Sequence, residues 1–522
     1  MNSQDNQPSI GGRSAKFALV LLVIVYIFNF IDRQILSILA EEIQNDLGLD
    51  DSDIGFLYGT AFAVFYSIVG IPMGKLADSW NRKNLISIGL ATWSLMTALS
   101  GTAKNFFSLA AYRIGVGIGE SSASPAAYSL LSDYFSPKVR STVLSIYGSG
   151  VYIGSGIGLF LGGSIVDAWK GAYPDASLAP LGLEAWQVAF IAVGLPGLLL
   201  AILTWQIKEP PRGLSDGIKT SEHPEPFKQT FKELLGLTPI PIMNHRNSIL
   251  LNLLVGFLFI LSCIFLINLT GDTAQWVAFF MGCYFILCWI QSLKYRDPVT
   301  FSMIFGTKST LFCLLAFPFL PFVTYAHGAF GPTFYMRTFD LPAGEVGRYL
   351  GLMTAVGGLL GIVAGGLIGD RLRKKYVNGR IYVCLAVAVL TIPAGLAYLY
   401  TSNLYLSYFW NFVFSFVSPA WLGLAAATIT DLVLPRMRAI AGAFFILMLS
   451  MLGMALGPYL VGNGSEILQT QGVDDAQSIQ AALAISSVAL IITISCLLMA
   501  IRTLGSDEAS KVERARLLGE DV

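Results

Sequence analysis

The chain has 522 residues, of which 54% are hydrophobic and only 13% charged, and its formal net charge at neutral pH is zero. A soluble globular domain carries roughly 25% charged residues, so this composition and a mean hydropathy of +0.65 indicate an integral membrane protein. The balanced charge gives no basic surface, and we expect no nucleic-acid partner. The six cysteines lie in apolar runs without metal-ligand spacing, which predicts no metal site.

Helix-length apolar segments follow one another along the chain. The first six lie at 17–40, 54–77, 84–102, 106–133, 140–168 and 186–207. A polar stretch precedes two further apolar runs, at 248–269 and 274–292. The last six lie at 303–334, 344–370, 380–401, 404–432, 438–463 and 479–503. These segments predict an all-α polytopic membrane protein with 14 transmembrane helices.

Two loop motifs occur twice, at nearly the same distance along the chain. Residues 133–140 read DYFSPKVR and residues 431–438 read DLVLPRMR, while GKLADSWNRK at 74–83 is echoed by GGLIGDRLRKK at 365–375. A repeated pair of motifs predicts one structural unit written twice, as in two-lobed transporters. We therefore divide the chain into an N-terminal six-helix lobe (1–207), a cytoplasmic linker (208–247), an inserted helix pair (248–292), a C-terminal six-helix lobe (293–503) and a solvated cytoplasmic tail (504–522).

Charge predicts the orientation. Lysine and arginine gather in alternate loops, whereas the loop at 41–53 contains six acidic residues. Basic loops face the cytoplasm, so both termini are expected there. The protein is expected in the plasma membrane, which is the inner membrane if the source is bacterial.

The loop motifs also have a mechanical interpretation. An acidic residue at a helix end can meet a basic residue in only one of two rocking states, and the contact then biases the equilibrium. We expect Asp133 to pair with Arg140, and Asp431 with Arg438. The alternative is that these charges only set the topology. The candidate latch residues are Asp78, Asp133, Arg140, Asp370, Arg371, Asp431 and Arg438.

Charged residues also lie inside two of the apolar segments. The first segment contains Asn29, Asp32 and Arg33, and the fourth contains Arg113 and Glu120. A charge at the bilayer centre costs at least about 2.5–3.5 kcal/mol, so these side chains must face a cavity or one another. A carboxylate–arginine set in a cavity can exchange a proton against a substrate charge. The alternative is an ion-pair network that only holds the two helices together.

The second lobe is more aromatic. Its first segment contains Pro318 and Pro321, which predict a kink or break, and His327, which could titrate near neutral pH or simply pack. Trp410 belongs to an aromatic stretch in the segment 404–432. A cavity with one polar and one apolar wall would suit an amphipathic substrate; alternatively, the aromatic stripe faces lipid.

The duplicated Gly-x-Leu-x-x-Asp loop, with Arg113 and the glycines after it, resembles the major facilitator superfamily. Within it the chain is most similar to Spinster-like lysolipid and sphingolipid transporters. The matching residues are Asn29, Asp32 and Arg33, the run Gly119 to Ser122 with Pro125, Asp133 to Phe135, and Glu209 to Gly213.

This resemblance implies a major facilitator fold and proton-linked movement of a lysophospholipid or sphingosine-phosphate-like molecule by alternating access. Asp32 and Glu120 would couple protons. The substrate-binding residues would be Arg33, Arg113, Asn29, Ser121, His327 and Trp410.

Two other functions stay open. A small organic-anion symporter would need a polar cavity in both lobes, and a non-transporting receptor of the same fold would tolerate loss of Asp32 and Glu120. We expect no enzymatic activity, because no nucleophile–base pair or metal-ligand cluster is evident. We also expect no cofactor, and a monomer whose partners are protons, a small amphipathic or anionic substrate and the lipid bilayer.

Overall fold

The computed structural model describes residues 10–216 and 224–520, and these residues form helices without a β-strand. The prediction of an all-α polytopic protein is confirmed. The first lobe contains α1 (Arg13–Ile38), α2 (Ala40–Leu47), α3 (Asp51–Ser79), α4 (Arg82–Ser100), α5 (Phe106–Glu120), α6 (Ala123–Tyr134), α7 (Thr142–Ala172) and α8 (Ala185–Trp205). The linker contains α9 (Pro226–Gly236), and the inserted pair is α10 (Arg246–Thr270) and α11 (Thr273–Arg296). The rest comprises α12 (Pro298–Phe305), α13 (Lys308–Phe339), α14 (Ala343–Arg373), α15 (Gly379–Tyr400), α16 (Leu404–Asp431), α17 (Arg438–Thr470), α18 (Asp475–Ala509) and α19 (Lys511–Leu517).

Twelve of the described helices are long and apolar enough to cross a membrane. Two of the predicted spans fall outside this set. The span at 84–102 corresponds to α4, whose first turn is charged and polar, and the span at 106–133 is divided between α5 and α6 by a turn at residues 121–122. The total of 14 transmembrane helices therefore stays a prediction. The predicted break in the first helix of the second lobe is confirmed by a turn at residues 317–318.

We call the end of the bundle that holds residues 41–53 the acidic end, and the end that holds residues 75–83 and 371–380 the basic end. The two lobes approach closely where α7 crosses α14. A Cβ atom on Gly156 would lie 2.3 Å from the carbonyl oxygen of Gly351, and one on Gly347 would lie 2.3 Å from that of Leu159. Only glycine allows backbones to come this close, so the seam depends on small residues.

The second seam joins α3 to α17. The Thr60 hydroxyl donates a hydrogen bond of 2.8 Å to the carbonyl oxygen of Ala455. A Cβ atom on Gly59 would lie 2.5 Å from the carbonyl oxygen of Met454. Both contacts lie in the half of the bundle nearer the acidic end, so the lobes are joined there.

The inserted pair lies on the outside of this second seam. A Cβ atom on Gly282 of α11 would meet Val64 of α3 at 3.0 Å and Met451 of α17 at 2.7 Å. The Trp276 ring meets Tyr459 edge to face, with 5.3 Å between centroids. Helix α10 has few buried residues and is largely exposed. The insertion thus places one helix across both lobes and a second helix toward the surroundings.

The prediction of a solvated tail from residue 504 is wrong for the residues that the structure describes. Helix α18 continues to residue 509, and α19 packs back against the second lobe. The Asp507 carboxylate accepts a 2.7 Å hydrogen bond from the Ser309 hydroxyl. The Lys511 ammonium donates to the carbonyl oxygen of Asp431 at 2.7 Å. Hydrophobic spacing predicts where a membrane segment ends, but these polar tail contacts depend on the folded lobe.

Candidate functional site

A buried ion pair joins α1 to α5 in the middle of the first lobe. The Nε and Nη2 atoms of Arg33 each lie 2.7 Å from Oε2 of Glu120. The Glu120 side chain is 0% exposed, whereas that of Arg33 keeps 13% of its surface accessible. The guanidinium lies over the rings of Phe30, Phe62 and Tyr66, at 4.3–4.9 Å from their centroids. Arg33 is therefore held by one carboxylate and by aromatic faces, and it is the exposed member of the pair.

Asp32 and Arg113 form a second buried contact beside this pair, in which the Arg113 side chain binds the backbone of Asp32 and not its carboxylate. Nη1 of Arg113 donates to the carbonyl oxygen of Asp32 at 3.1 Å. Both carboxylate oxygens of Asp32 are buried without a hydrogen-bond partner among the described residues, as are Oδ1 of Asn29 and Oε1 of Glu120. Buried polar atoms normally have partners, so this cluster has unused capacity to hold a proton or a polar ligand group.

Helix packing explains why the cluster forms. Arg113 and Glu120 are two turns apart on α5, so they share one face. Between them, a Cβ atom on Gly117 would lie 2.7 Å from the carbonyl oxygen of Phe62. The absence of a side chain at Gly117 lets α5 pack directly on α3, which brings this face under α1. The structure therefore brings together Asn29, Asp32, Arg33, Arg113 and Glu120.

The other predicted substrate-binding residues are placed differently. Nδ1 of His327 lies 2.5 Å from the Tyr398 hydroxyl, and its ring stacks on Phe414 with 4.6 Å between centroids. Ser121 donates to the carbonyl oxygen of Ile118 in its own helical turn, at 2.7 Å. Trp410 is partly buried. These side chains lie outside the ion-pair cluster, so a role for them in binding stays a prediction.

Tyr325 is a residue of the second lobe that sequence reasoning missed. Its hydroxyl lies close enough to Arg33 to interact with the guanidinium charge. It brings a polar group of the second lobe to the Arg33–Glu120 pair. A tyrosine inside an apolar segment carries no periodic signal that would have identified it.

A network at the acidic end ties the two lobes together, and sequence reasoning missed it as well. Arg337 at the end of α13 lies 2.6 Å from Oε1 of Glu41 and 2.9 Å from both carboxylate oxygens of Asp51. Asp51 also accepts from the Ser465 hydroxyl at 2.7 Å and from the Gln469 amide at 3.2 Å. Burial raises the pKa of Glu41, although Arg337 acts in the opposite direction. An arginine in the last turn of a helix, at an end dominated by acidic residues, was the available signal.

Two matching ion-pair clusters lie at the basic end. In the first lobe, Arg82 pairs with Asp133, and its Nε donates to Glu209 at 2.7 Å. In the second lobe, Arg380 pairs with Asp431 at 2.6 Å and lies 3.5 Å from Asp370. Arg82 and Asp133 are 51 residues apart, as are Arg380 and Asp431. The repeat seen in the loop motifs thus extends to their contacts, and each of these clusters stays within its own lobe.

The expected pairs Asp133–Arg140 and Asp431–Arg438 are not formed between these described residues in this conformation, so they stay a prediction for the other state. Arg140 donates instead to the Ser132 carbonyl oxygen at 3.2 Å and to the Ser215 hydroxyl at 2.8 Å. Arg438 donates to the carbonyl oxygen of Thr430 at 3.3 Å. Each arginine caps the end of the preceding helix through a backbone carbonyl group and does not pair with the aspartate in the last turn of that helix.

Two of the predicted latch residues, Asp78 and Arg371, have exposed side chains. The side chain of Asp78 forms no ion pair or hydrogen bond with the described residues. The guanidinium of Arg212 caps the end of α3 next to Asp78, donating to the carbonyl oxygens of Ala77 and Trp80. Burial lowers the pKa of Arg212, with Arg82 adding to the effect. In the described conformation, the latch contacts therefore centre on the two arginines that begin α4 and α15.

Comparison with known proteins places the chain among transporters. Residues 22–458 match the sequence pattern of the Major Facilitator Superfamily. The chain is 26% identical to an MFS-type efflux pump of Mycolicibacterium smegmatis, over 89% of this chain and 87% of that protein. It is also 26% identical to protein spinster of Drosophila melanogaster, over 88% of this chain and 63% of that protein.

The fold is similar to that of a bacterial homolog of the human lysosomal transporter Spinster, solved in an inward-facing, unoccupied conformation. The TM-score is 0.69, with 23% identity, 95% coverage of this chain and 98% of that one. The expected major facilitator fold and the resemblance to Spinster-like transporters are confirmed.

Proposed function

The chain belongs to the Major Facilitator Superfamily of transporters, and we propose that it moves an amphipathic, anionic, lipid-like molecule by proton-linked alternating access. A lysophospholipid or a sphingosine-phosphate-like molecule fits this description. The observation that carries the proposal is the Arg33–Glu120 pair, in which a buried carboxylate holds a guanidinium that is still accessible.

The substrate class follows from the surroundings of Arg33. Its guanidinium can bind a phosphate or carboxylate with paired N–H groups, while Phe30, Phe62 and Tyr66 supply apolar faces around the same charge. Similarity to spinster proteins supports the same class.

Proton coupling follows from competition for Arg33. While Glu120 is ionised, it holds the guanidinium; when Glu120 takes up a proton, Arg33 is released to an anionic headgroup. Asp32 lies in the same cluster, and neither of its carboxylate oxygens has a hydrogen-bond partner among the residues that the structure describes. A proton on Asp32 removes a charge that burial makes costly. Substrate and proton thereby use one set of charges, which is the requirement for coupled transport.

The rocking step has support in the lobe contacts. Among the described residues, the Arg337 network and the Thr60–Ala455 hydrogen bond join the lobes in the acidic half, whereas the Arg82 and Arg380 clusters each lie within one lobe. This pattern is that of a conformation closed at the acidic end. With the basic loops at the cytoplasmic side, it corresponds to an inward-facing state.

A small organic anion is the second candidate. The chain is 30% identical over 185 residues to a probable L-galactonate transporter of Escherichia coli, although these cover only 35% of this chain. The Arg33 and Arg113 guanidiniums would serve a sugar-acid carboxylate equally well. The aromatic faces of Phe30, Phe62 and Tyr66 around the Arg33 guanidinium favour the amphipathic substrate.

Uptake into proteoliposomes tests the proposal. Labelled lysophospholipid and labelled L-galactonate are offered separately, with and without an imposed pH gradient. We expect gradient-dependent uptake of lysophospholipid that is lost in Asp32→Asn and Glu120→Gln and kept in Asp175→Asn, a matched change at an exposed loop position. Uptake of L-galactonate alone would select the second candidate. Transport of neither by folded protein would contradict both and favour a non-transporting receptor.

A further inference from the structure

A groove runs along the outside of the first lobe, away from the central ion pairs. It lies between α3, α5 and α11 and has a volume of about 650 Å³, within the range of roughly 300–1,000 Å³ typical of small-molecule sites. The inserted helix α11 forms one complete wall, so the groove exists only because the insertion is present. Its length is lined by apolar side chains, among them Phe56, Phe65, Phe106, Ile114, Val277 and Met281.

One end of the groove is polar, and it contains an unsatisfied amide. Gln275 lines the groove and is 1% exposed, and within the described residues neither its amide nitrogen nor its oxygen has a hydrogen-bond partner. Leaving a buried polar group unpaired costs about 1–3 kcal/mol. A lining residue whose amide has both atoms unpaired within the described residues is suited to a ligand that supplies a donor and an acceptor.

The same end carries a group of carboxylates. Asp53 and Asp272 both line the groove, and the acidic residues Asp50 and Glu466 lie close enough to act on them electrostatically. Asp272 is fixed in place, because the Tyr459 hydroxyl donates to it at 2.7 Å. Burial raises the pKa of Asp272. A cation placed at this end would relieve the mutual repulsion of the carboxylates.

We propose that this groove is a binding site for a single-chain amphiphile that bears a protonated amine and enters from the bilayer. The hydrocarbon chain lies along the aromatic and aliphatic wall, and the ammonium group meets Asp53 and Asp272. The Gln275 amide binds the polar groups next to the amine. The site differs in charge from the central cluster, where Arg33 and Arg113 select an anion, and it does not depend on the substrate proposed above.

Photocrosslinking with two matched probes tests the site. The probes are a diazirine-bearing long-chain alkylamine and the fatty acid of the same chain length and diazirine position. Full-length protein in phosphatidylcholine nanodiscs is labelled at neutral pH, and the attachment points are mapped by mass spectrometry. We expect saturable labelling of α3, α5 and α11 by the amine, at least fivefold above that by the acid.

Two variants of α5 decide whether the groove itself is responsible. Ala111 lines the groove and is exposed, so Ala111→Trp fills it without disturbing the core. Ile118, seven residues along the same helix, is 40% exposed and lies outside the groove, so Ile118→Trp is the matched control. We expect amine labelling to fall at least fivefold in Ala111→Trp and in Gln275→Leu, and to persist in Ile118→Trp.

Three results would overturn the proposal. If labelling survives in Ala111→Trp, the probe reaches the protein from bulk lipid and not from the groove. Equal labelling by the fatty acid would show that the carboxylates play no role in binding. Labelling that does not saturate would exclude a specific binding site. Arg33→Ala should leave amine labelling unchanged, so failure of the transport proposal and failure of this one are distinguishable.

Discussion

Replacing Arg337 by methionine should open the acidic end of the bundle. In the described conformation, Arg337 bridges Glu41 and Asp51 of the first lobe from the second lobe. The exposed fraction is 14% for the Arg337 side chain and 1% for that of Asp51. The substitution therefore leaves a buried carboxylate without its cation, whereas the same carboxylate would be hydrated once the lobes separate.

The magnitude follows from this difference in burial. Removing one partner of a buried ion pair costs about 3–5 kcal/mol, and the cost falls on the closed state alone. Because 1.4 kcal/mol is a tenfold change in an equilibrium constant, the ratio of closed to open protein should fall by about 100-fold or more. The population should therefore shift toward the open conformation.

Pulsed electron–electron resonance measures this shift. Spin labels are attached at Thr102 and Ser402, two exposed positions between helices at the acidic end of the first and second lobes, in a background lacking the six native cysteines. We expect a longer distance to dominate in Arg337→Met. The control is Arg348→Met, which removes an exposed arginine near the same end. An unchanged distance distribution in Arg337→Met, or an equal change in the control, would refute the reasoning.

Two further predictions concern the basic end. Arg82→Gln should lower the free energy of unfolding by about 3–5 kcal/mol, because the Arg82 side chain is 0% exposed and holds both Asp133 and Glu209. At the repeat-related position, the Arg380 side chain is 21% exposed, so Arg380→Gln should lower the free energy of unfolding by about 1 kcal/mol or less. Equal losses of Tm in the same detergent would contradict this ranking. The docked tail should resist mild acid. Burial acts to raise the pKa of Asp297, but hydrogen bonds from Arg436 and Thr300 outweigh burial and lower that pKa. A hydrogen bond from Arg436 likewise lowers the pKa of Glu520. A lowered pKa means that the ion pairs stabilise the docked tail above the ordinary carboxylate range, and that this stabilisation is lost as the pH falls through the lowered pKa. Hydrogen exchange in α19 should therefore stay slow down to about pH 5 and become faster below about pH 4. Faster exchange already near pH 6 would show that these ion pairs do not hold the tail.

Much of the fold follows from features that are local in sequence. Apolar segment length predicted the helices, and the repeated loop motifs predicted two lobes, because both depend on burial in lipid and on internal duplication. The spacing of Arg113 and Glu120 predicted a shared helical face, since the α-helical period fixes it. The prolines at 318 and 321 predicted the break at the start of α13 for the same local reason.

Ion-pair partners were harder to predict because they depend on how helices dock. Sequence proximity suggested that Asp133 meets Arg140, yet the start of α4 brings Arg82 closer to Asp133 in space. Residues 41–53 were interpreted only as an acidic loop, but they form α2 and the first turn of α3, and Asp51 is buried against the second lobe. No periodic pattern marks Arg337 as the partner from almost 300 residues away.

The most direct test of the central claim is proton movement driven by the substrate. Proteoliposomes containing a pH-sensitive dye and no imposed gradient are given lysophospholipid, and the luminal pH is followed in wild-type protein, in Glu120→Gln and in Arg33→Gln. If Arg33 and Glu120 exchange a proton against an anionic headgroup, lysophospholipid alone should change the luminal pH in wild-type protein and in neither variant. Lysophospholipid transport without a pH change, or a pH change that persists in Glu120→Gln, would contradict coupling through this pair.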